Sequence, residues 1–593
     1  MSEKILIAIA WPYANAEIHV GNLTGSHLPG DILARYHRLK GDKVLMVSGT
    51  DSHGTPVSLR ADSEGKPAEE VYKNFHDTFL GVFKGFGISY DLFTSTHTEN
   101  HFKVAQSIFL ALKENGFMFK KISLQWYSPV AKKFLPDRYV EGTCYICGYE
   151  NARSDQCDQC GNVLEPEKLL EPRAKTGDGV LELRETEHFY LDLSKLEPKV
   201  KEFLRERASH LRDTVLGESL GKIESEGLLP RPITRDLDWG IPVPVEGWDG
   251  KCLYVWFEAV IGYLSAAIEW SRLTDDTERW RDWWLDPSVK QFYFIGKDNI
   301  FFHTSLWPAQ LMGAGNQFMK IFAEEDKPLA LPYDIPANQF MNLEGQKISG
   351  SRNWAVWCQD AIDRYDADAL RFYLTINMPE NKDSDWDWSE FVARNNNELV
   401  ANWGNLANRI LSFTYKHWEG VLPDPGKLRP NDKELMETIN AGFELVGKEL
   451  EAVHLRTALH ETLRLASKVN KYLDTCAPWF EIKTDKELAA KSVFTALQAI
   501  NSLKVMFSPF LPFSSEKLHH FLGYNDSLFG EQYQEKIQDS LGDHVVLKYL
   551  GDHSDVRWKP SPLEPGTILR QPVALFKKLD DSLVEEERAR LES

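Results

Sequence analysis

The sequence predicts an α/β protein built on a doubly wound parallel (Rossmann-type) sheet, split by a cysteine-bearing insertion and followed by a mainly helical region. Three observations predict it. The apolar runs "KILIAIA" (4–10) and "KVLMVSG" (43–49) have the composition of strands buried on both faces, and helical stretches follow them. The strand–helix alternation is interrupted from about Lys120 to Leu229, and resumes with "CLYVWFEAVIGYLSAAIEW" and "QFYFIGKDNIFFH". Beyond about Asp385 the pattern becomes helical and stays so to about Leu522.

A chain of 593 residues is too long for one core and implies about three to five domains. The net charge of −20 excludes a protein that coats nucleic acid through bulk charge, while leaving room for a local basic face. The opening "MSEKILIAIAWPYAN" is too short an apolar run for a signal peptide. No stretch reaches the ~18 apolar residues of a membrane span. A cytoplasmic protein is expected. Seven cysteines without a secretory signal read as thiols or metal ligands.

The first strand leads into "WPYANAEIHVGN" (11–22), where a turn places a histidine and a glycine just before a helix. Unpaired amides at a helix N-terminus attract anions, and glycine lets a phosphate approach the backbone. His19 and Asn22 can add side-chain donors beside Gly21. "DILARYHRLKG" reads as a helix with a glycine stop, and residues 72–115 read as amphipathic helices.

In the insertion, "CYIC" and "CDQC" set Cys144, Cys147, Cys157 and Cys160 as two pairs, each followed by a glycine, Gly148 and Gly161. Four thiolates complete the tetrahedral shell zinc prefers, so one structural Zn2+ is expected. Cys252, Cys358 and Cys476 are scattered and read as inert core thiols.

Later, "QFMNLEGQKISGSRN" reads as a strand, a glycine turn and a polar loop. In "NNNELVANWGNLANRILSFTYKHW", Asn405, Arg409, Ser412 and Lys416 share a polar helix face, opposite Trp403, Leu406, Ile410 and Phe413. Arg464, Lys468 and Lys471 align on another helix, ahead of "TCAPWF". The tail from about Asn525 is mixed, and "SPLEPG" reads as an exposed connection.

Together these stretches resemble the class I aminoacyl-tRNA synthetases, and among them the methionyl-tRNA synthetase family. "IHVGN" is similar to the HIGH element, and "KISGS" stands in the place of the KMSKS loop. "PYAN", "GTDSHGTP", "YVWFEAVIGY", "FIGKDNIFFH", "NELVANWGNLANRI" and "APW" narrow the resemblance to methionine, over about Ile5 to Leu522.

The resemblance implies the following domains: residues 1–118 and 231–325 as the two halves of the catalytic sheet, 119–230 as a connective insertion with a zinc knuckle, and 326–388 as a stem-contact segment. Residues 389–525 would form an α-helical anticodon-binding domain, with 526–593 as a tail packing back on the body. It implies a ligase that joins L-methionine to ATP, with Mg2+, as methionyl-adenylate, then charges initiator and elongator methionine tRNA. The implied catalytic residues are His19, Asn22 and Lys347. ATP would also meet Gly21, Lys297, Asp298, Ser349, Ser351 and Arg352. The methionine pocket would be Ala10, Trp11, Tyr13, Asp51, Trp256, Ala259, Tyr263, Phe302 and His303, with Asp51 holding the ammonium. Asn405, Arg409 and Trp479 would read the CAU anticodon.

The chain departs from the family pattern at four places. Asn22 replaces the second HIGH histidine, and Gly350 replaces the second lysine of the loop, leaving Arg352 or Lys297 as substitutes. Trp11 and Val260 stand where Leu and Pro are usual. Gly350 favours one alternative, a synthetase-like paralogue that binds nucleotide or RNA without charging tRNA. The ending "EEERARLES" lacks the oligonucleotide-fold tail that dimerises some relatives, so a monomer is expected.

Overall fold

The computed structural model describes residues 2–157, 159–160, 164–175, 180–323, 325–551 and 555–591. At its centre is a seven-stranded sheet. Its strands, numbered in chain order, are β1 Lys4–Ile9, β2 Lys43–Thr50, β3 Leu92–Ser95, β4 Lys290–Gly296, β5 Ala337–Asn338, β6 Gln532–Asp539 and β7 Gly542–Tyr549. Their spatial order is β5-β4-β1-β2-β3-β7-β6. β1 to β5 are parallel, with Ile5 flanked by Val44 and Lys290. The order reverses beside β1, which creates the crevice where open sheets of this kind bind ligands.

β1 shows why the apolar run is unbroken. Ile5, Ile7 and Ile9 belong to the core on one face of the sheet, and Leu6 and Ala8 to the core on the other. β3 is a four-residue strand within the stretch expected to be helical throughout. All four of its residues are buried, so it carries no alternation to read. The helices Ala68–Gly85 and Glu99–Glu114 flank it.

The tail contributes more than a cover. β6 and β7 form a hairpin, and Leu547 of β7 pairs antiparallel with Phe93 of β3. The parallel sheet is thereby extended into a mixed one. The insertion is built on a long antiparallel ribbon, Met118–Ser128 against Glu182–Leu191, and also carries the helices Glu197–Glu206 and Asp213–Glu226.

One apolar core runs from the β1 face through Trp386 and Trp403 to Phe507 of the helical region. Inside it lies a buried ionic centre. Arg371 donates to Asp31 Oδ2 at 2.7 Å and to the carbonyls of Phe86, Pro509 and Phe510. Asp31 also accepts from Arg35 and from the Ser89 amide and hydroxyl. Against the cost of burial, these guanidinium groups and donors hold its carboxyl down at about 2. No helix among the described residues is long and apolar enough to cross a membrane.

Candidate active site

β1 ends at the reversal point, and the chain beyond it is tied to both neighbouring strands. The Ala10 amide donates to Phe294 O of β4, and Tyr13 bridges Asp51 just past β2. The helix starting at Val20 continues through a π-type turn at Leu23–His27 into Leu28–Lys40. Its cap is reciprocal: the Asn22 amide donates to His19 Nδ1 at 3.2 Å, and the His19 amide to Asn22 Oδ1 at 3.1 Å. Accepting at Nδ1 puts the His19 proton on Nε2, and loss of solvation pushes the imidazole down to about 4. His19 is therefore a neutral Nε2–H donor. Asn22, expected to face a phosphate, spends its carbonyl on the cap and keeps its amino group.

The "KISGS" loop lies over this helix start. A Cβ at Gly21 would stand 3.0 Å from the His19 ring and 3.2 Å from Ile348 Cδ1. Lys347 is exposed, on a two-residue strand antiparallel to Met341–Leu343. Ser349 pairs with Trp354 through the backbone, and Gly350–Arg352 form one tight turn. Arg352 is exposed on that turn. Lys297 and Lys347 converge on the same ring, their Nζ atoms 4.2 and 5.4 Å from the centre of Phe340. Lys297 is also paired to Asp383 at 2.7 Å. Asp298 follows it, folded back toward Gly296. Asp383 was invisible in sequence reasoning because no motif links it to Lys297, and Phe340, though it lies in "QFMNLEGQKISGSRN" ahead of Lys347, carried no sign of contact with either lysine.

Several of the aromatic side chains that the resemblance assigned to a methionine pocket lie against one another. Trp256 and Phe302 stack at 4.0 Å, and Tyr13 meets Trp256 edge-on at 5.7 Å. Ala259 is buried nearby in the helix Val255–Ala259. His303 Nδ1 bonds Asn299 O at 3.0 Å, which makes Nδ1 the protonated nitrogen and leaves Nε2 to accept from Tyr263 Oη at 2.7 Å. Burial pushes His303 down to about 4, so it too is neutral. Phe302 and His303 open a second π-type turn, a local feature often found at functional sites. Trp11, in place of the usual leucine, occupies a slot made by two glycines. A Cβ at Gly49 or Gly262 would stand 2.2 or 2.7 Å from its ring.

Asp51 is a buried carboxylate, and burial together with the charge of Glu258 raises its pKa well above the usual range. Glu258 itself is held low, against the cost of burial, by His53 at 2.9 Å and His101 at 2.8 Å. His53 Nε2 reaches His97 Nδ1 at 3.0 Å. Sequence reasoning missed this Glu–His cluster, although "DSHG" and "WFEAV" lay inside the quoted motifs. Of the two carboxylates, Glu258 is matched by two imidazoles, whereas Asp51 accepts the His53 amide at 3.5 Å.

The ligand atoms of Cys144, Cys147, Cys157 and Cys160 lie within 4.8 Å of one another. Four thiolates about 2.3 Å from a shared centre would be about 3.8 Å apart, so the donor set fits tetrahedral zinc. Gly148 has φ 77° and turns the chain back so that its amide donates to Cys144 O; Gly161 lies outside the described residues. Cys252 and Cys358 are buried, but Cys476 is half-buried and accepts from Asn431 Nδ2 at 3.3 Å.

In the helical region, Trp403, Leu406 and Ile410 are buried and Phe413 is half-buried, while Asn405 and Arg409 are exposed. The Arg409 guanidinium lies 4.8 Å from the Trp479 ring centre and donates to Asn470 Oδ1. Ala477, left-handed at φ 46°, and Pro478 present Trp479 from the end of the helix Leu455–Cys476. Arg464, Lys468 and Lys471 are exposed along that helix.

Residues 5–411 match the family model described as tRNA synthetases class I (M), and 422–548 match the anticodon binding domain of methionyl tRNA ligase. The chain is 50% identical over 593 residues to the methionine–tRNA ligase of Thermomicrobium roseum, covering 100% of this chain and 99% of that one. The ligase of Roseiflexus castenholzii is 47% identical over 602 residues, with 100% and 99% covered. A Mycobacterium tuberculosis methionyl-tRNA synthetase solved with methionyl-adenylate superposes with a TM-score of 0.76 at 24% identity, over 97% of this chain and 100% of that one. Full-length likeness to ligases favours catalysis over the non-charging alternative. The chain belongs to the methionyl-tRNA synthetase family of class I aminoacyl-tRNA synthetases.

Proposed function

We propose that the chain activates L-methionine with ATP and transfers it to methionine tRNA. In the first step a methionine carboxylate oxygen bonds the α-phosphorus, the bond from that phosphorus to the bridging oxygen breaks, and pyrophosphate leaves. In the second, a ribose hydroxyl of the 3′-terminal adenosine attacks the carbonyl carbon, and AMP leaves. Such transfers need in-line positioning and charge neutralisation more than covalent help. His19 Nε2–H and the Asn22 amino group would face the triphosphate from the helix start, and Lys347 and Arg352 from the loop. Methionine's ammonium would meet Asp51, and its thioether the Trp256–Phe302 rings. Arg409 and Trp479 would hold an unstacked anticodon base, with Asn405 one helical turn away.

The observation that carries this reading is the meeting of the His19 helix start and the "KISGS" loop beside a cluster of aromatic rings and the buried Asp51 carboxylate. The cysteine knuckle would hold one zinc with no open coordination position, a structural role; Mg2+ would enter with ATP. We further propose a cytoplasmic monomer that recognises CAU. Methionine-dependent ATP–pyrophosphate exchange, followed by aminoacylation of methionine tRNA, tests the function. No exchange with methionine present would refute it.

A further inference from the structure

We infer that Trp357 is the positioning residue that couples the two signature stretches, and that Gly350 is glycine in this chain because Trp357 occupies the space beside it. The inference rests on the proposed use of both stretches in methionine activation.

Trp357 touches both sides of the crevice. Its backbone segment forms a short antiparallel bridge with His19, secured by Val20 N–H to Val356 O at 3.0 Å and Cys358 N–H to Ile18 O at 2.8 Å. Its ring centre is 6.1 Å from that of His19. On the loop side, Trp357 Nε1 donates to Asn353 Oδ1 at 2.9 Å, and Asn353, left-handed at φ 55°, closes the Gly350–Arg352 turn. The far edge of the same ring, Cη2, lies 3.1 Å from where a Cβ at position 350 would stand.

Two consequences follow. A side chain at 350 must push against a ring pinned at its nitrogen and its backbone, so the turn rather than the ring would have to give. Any shift of the loop that carries Lys347 and Arg352 toward a triphosphate is transmitted through Asn353 and Trp357 to the segment that fixes His19. Glycine at 350 brings no side-chain charge to this turn. Here that place is taken by an indole contact, and the exposed guanidinium of Arg352 ends the same turn.

The test is a double-mutant cycle read by methionine-dependent pyrophosphate exchange. Trp357→Ala should raise KM for ATP at least tenfold and lower kcat, with the methionine Kd measured by calorimetry unchanged within twofold. Gly350→Ala should lower exchange about tenfold by the contact with Cη2. The double variant should be no worse than Trp357→Ala alone, because the contact has gone. Additive losses, single variants within twofold of the unsubstituted protein, or loss of methionine binding in Trp357→Ala would each overturn the coupling. Failure of the underlying reading is distinguishable, since the unsubstituted protein would then show no exchange at all.

Discussion

Trp256 and Phe302 lie face to face, their ring centres 4.0 Å apart and their planes 2° from parallel. The rings are already in contact, so a thioether would meet the edges of the stacked pair and not the space between them. Trp256→Ala should weaken methionine binding about 10- to 100-fold, the effect of losing roughly 1.5–3 kcal/mol of apolar contact. ATP affinity should not change. Calorimetric titration of each ligand checks this, and equal losses for both would remove the ring from the pocket.

Asp51 supplies a second prediction, with opposite effects on stability and function. A carboxyl raised by burial penalises the fold once pH climbs past its ordinary value near 3.8, and the penalty grows until the folded-state value is reached. Asp51→Asn should therefore raise the melting midpoint at neutral pH by about 1–3 °C. The same change should lower methionine-dependent exchange by about two orders of magnitude or more. A variant that is both less stable and still active contradicts the assignment.

The Asp31–Arg371 centre behaves in the reverse sense. With its folded carboxyl at about 2, Asp31 contributes stability that is fully present above its unfolded value and lost as pH falls from about 4 toward 2. Arg371→Met leaves Asp31 with Arg35 as its guanidinium partner but removes the donor to the buried carbonyls of Phe86, Pro509 and Phe510, and should cost about 2–5 kcal/mol. Urea midpoints at pH 7 and pH 3 should differ less in Asp31→Asn than in the unsubstituted chain.

Elemental analysis should find one zinc per chain, and Cys157→Ser should lose it, because the buried thiolate cannot be replaced from solvent. Chelation should lower the melting temperature of the unsubstituted protein. Metal-free protein that melts at the same temperature would show that the knuckle is held by packing alone.

Trp479→Ala should raise KM for methionine tRNA about 10- to 100-fold, the worth of one base stacked on an aromatic ring. Arg409→Ala should act in the same direction, since its guanidinium rests on that ring. Pyrophosphate exchange should stay at its original rate in both. A matching fall in exchange would indicate a folding defect instead of lost recognition.

What the sequence made legible was local. The cysteine pairs hold their chemistry within a few residues, so type and spacing point to it, whereas "IHVGN" and "KISGS" pointed to a site only through the resemblance their order carries. The resemblance also named Tyr13, Trp256 and Phe302, whose rings meet in the structure. The features that stayed hidden depend on partners remote in the chain. Asp383 pairs with Lys297 from 86 positions away. Gly49 and Gly262 make room for Trp11 from two other elements. β3 is too short to show a period, and the π-type turns carry no residue pattern distinct from an ordinary helix.

The hairpin of β6 and β7 has a consequence for how the molecule is made. β3 acquires its outer neighbour only from residues near 547, and His76 of the preceding helix bonds Val545 O. During synthesis on the ribosome, the catalytic half emerges with a bare strand edge while most of the polypeptide is still to be translated. Such an edge is a template for pairing with other chains. A hairpin translated long after β3 thus seals the first domain, and truncations that remove it should yield aggregation in the cell before they yield loss of turnover.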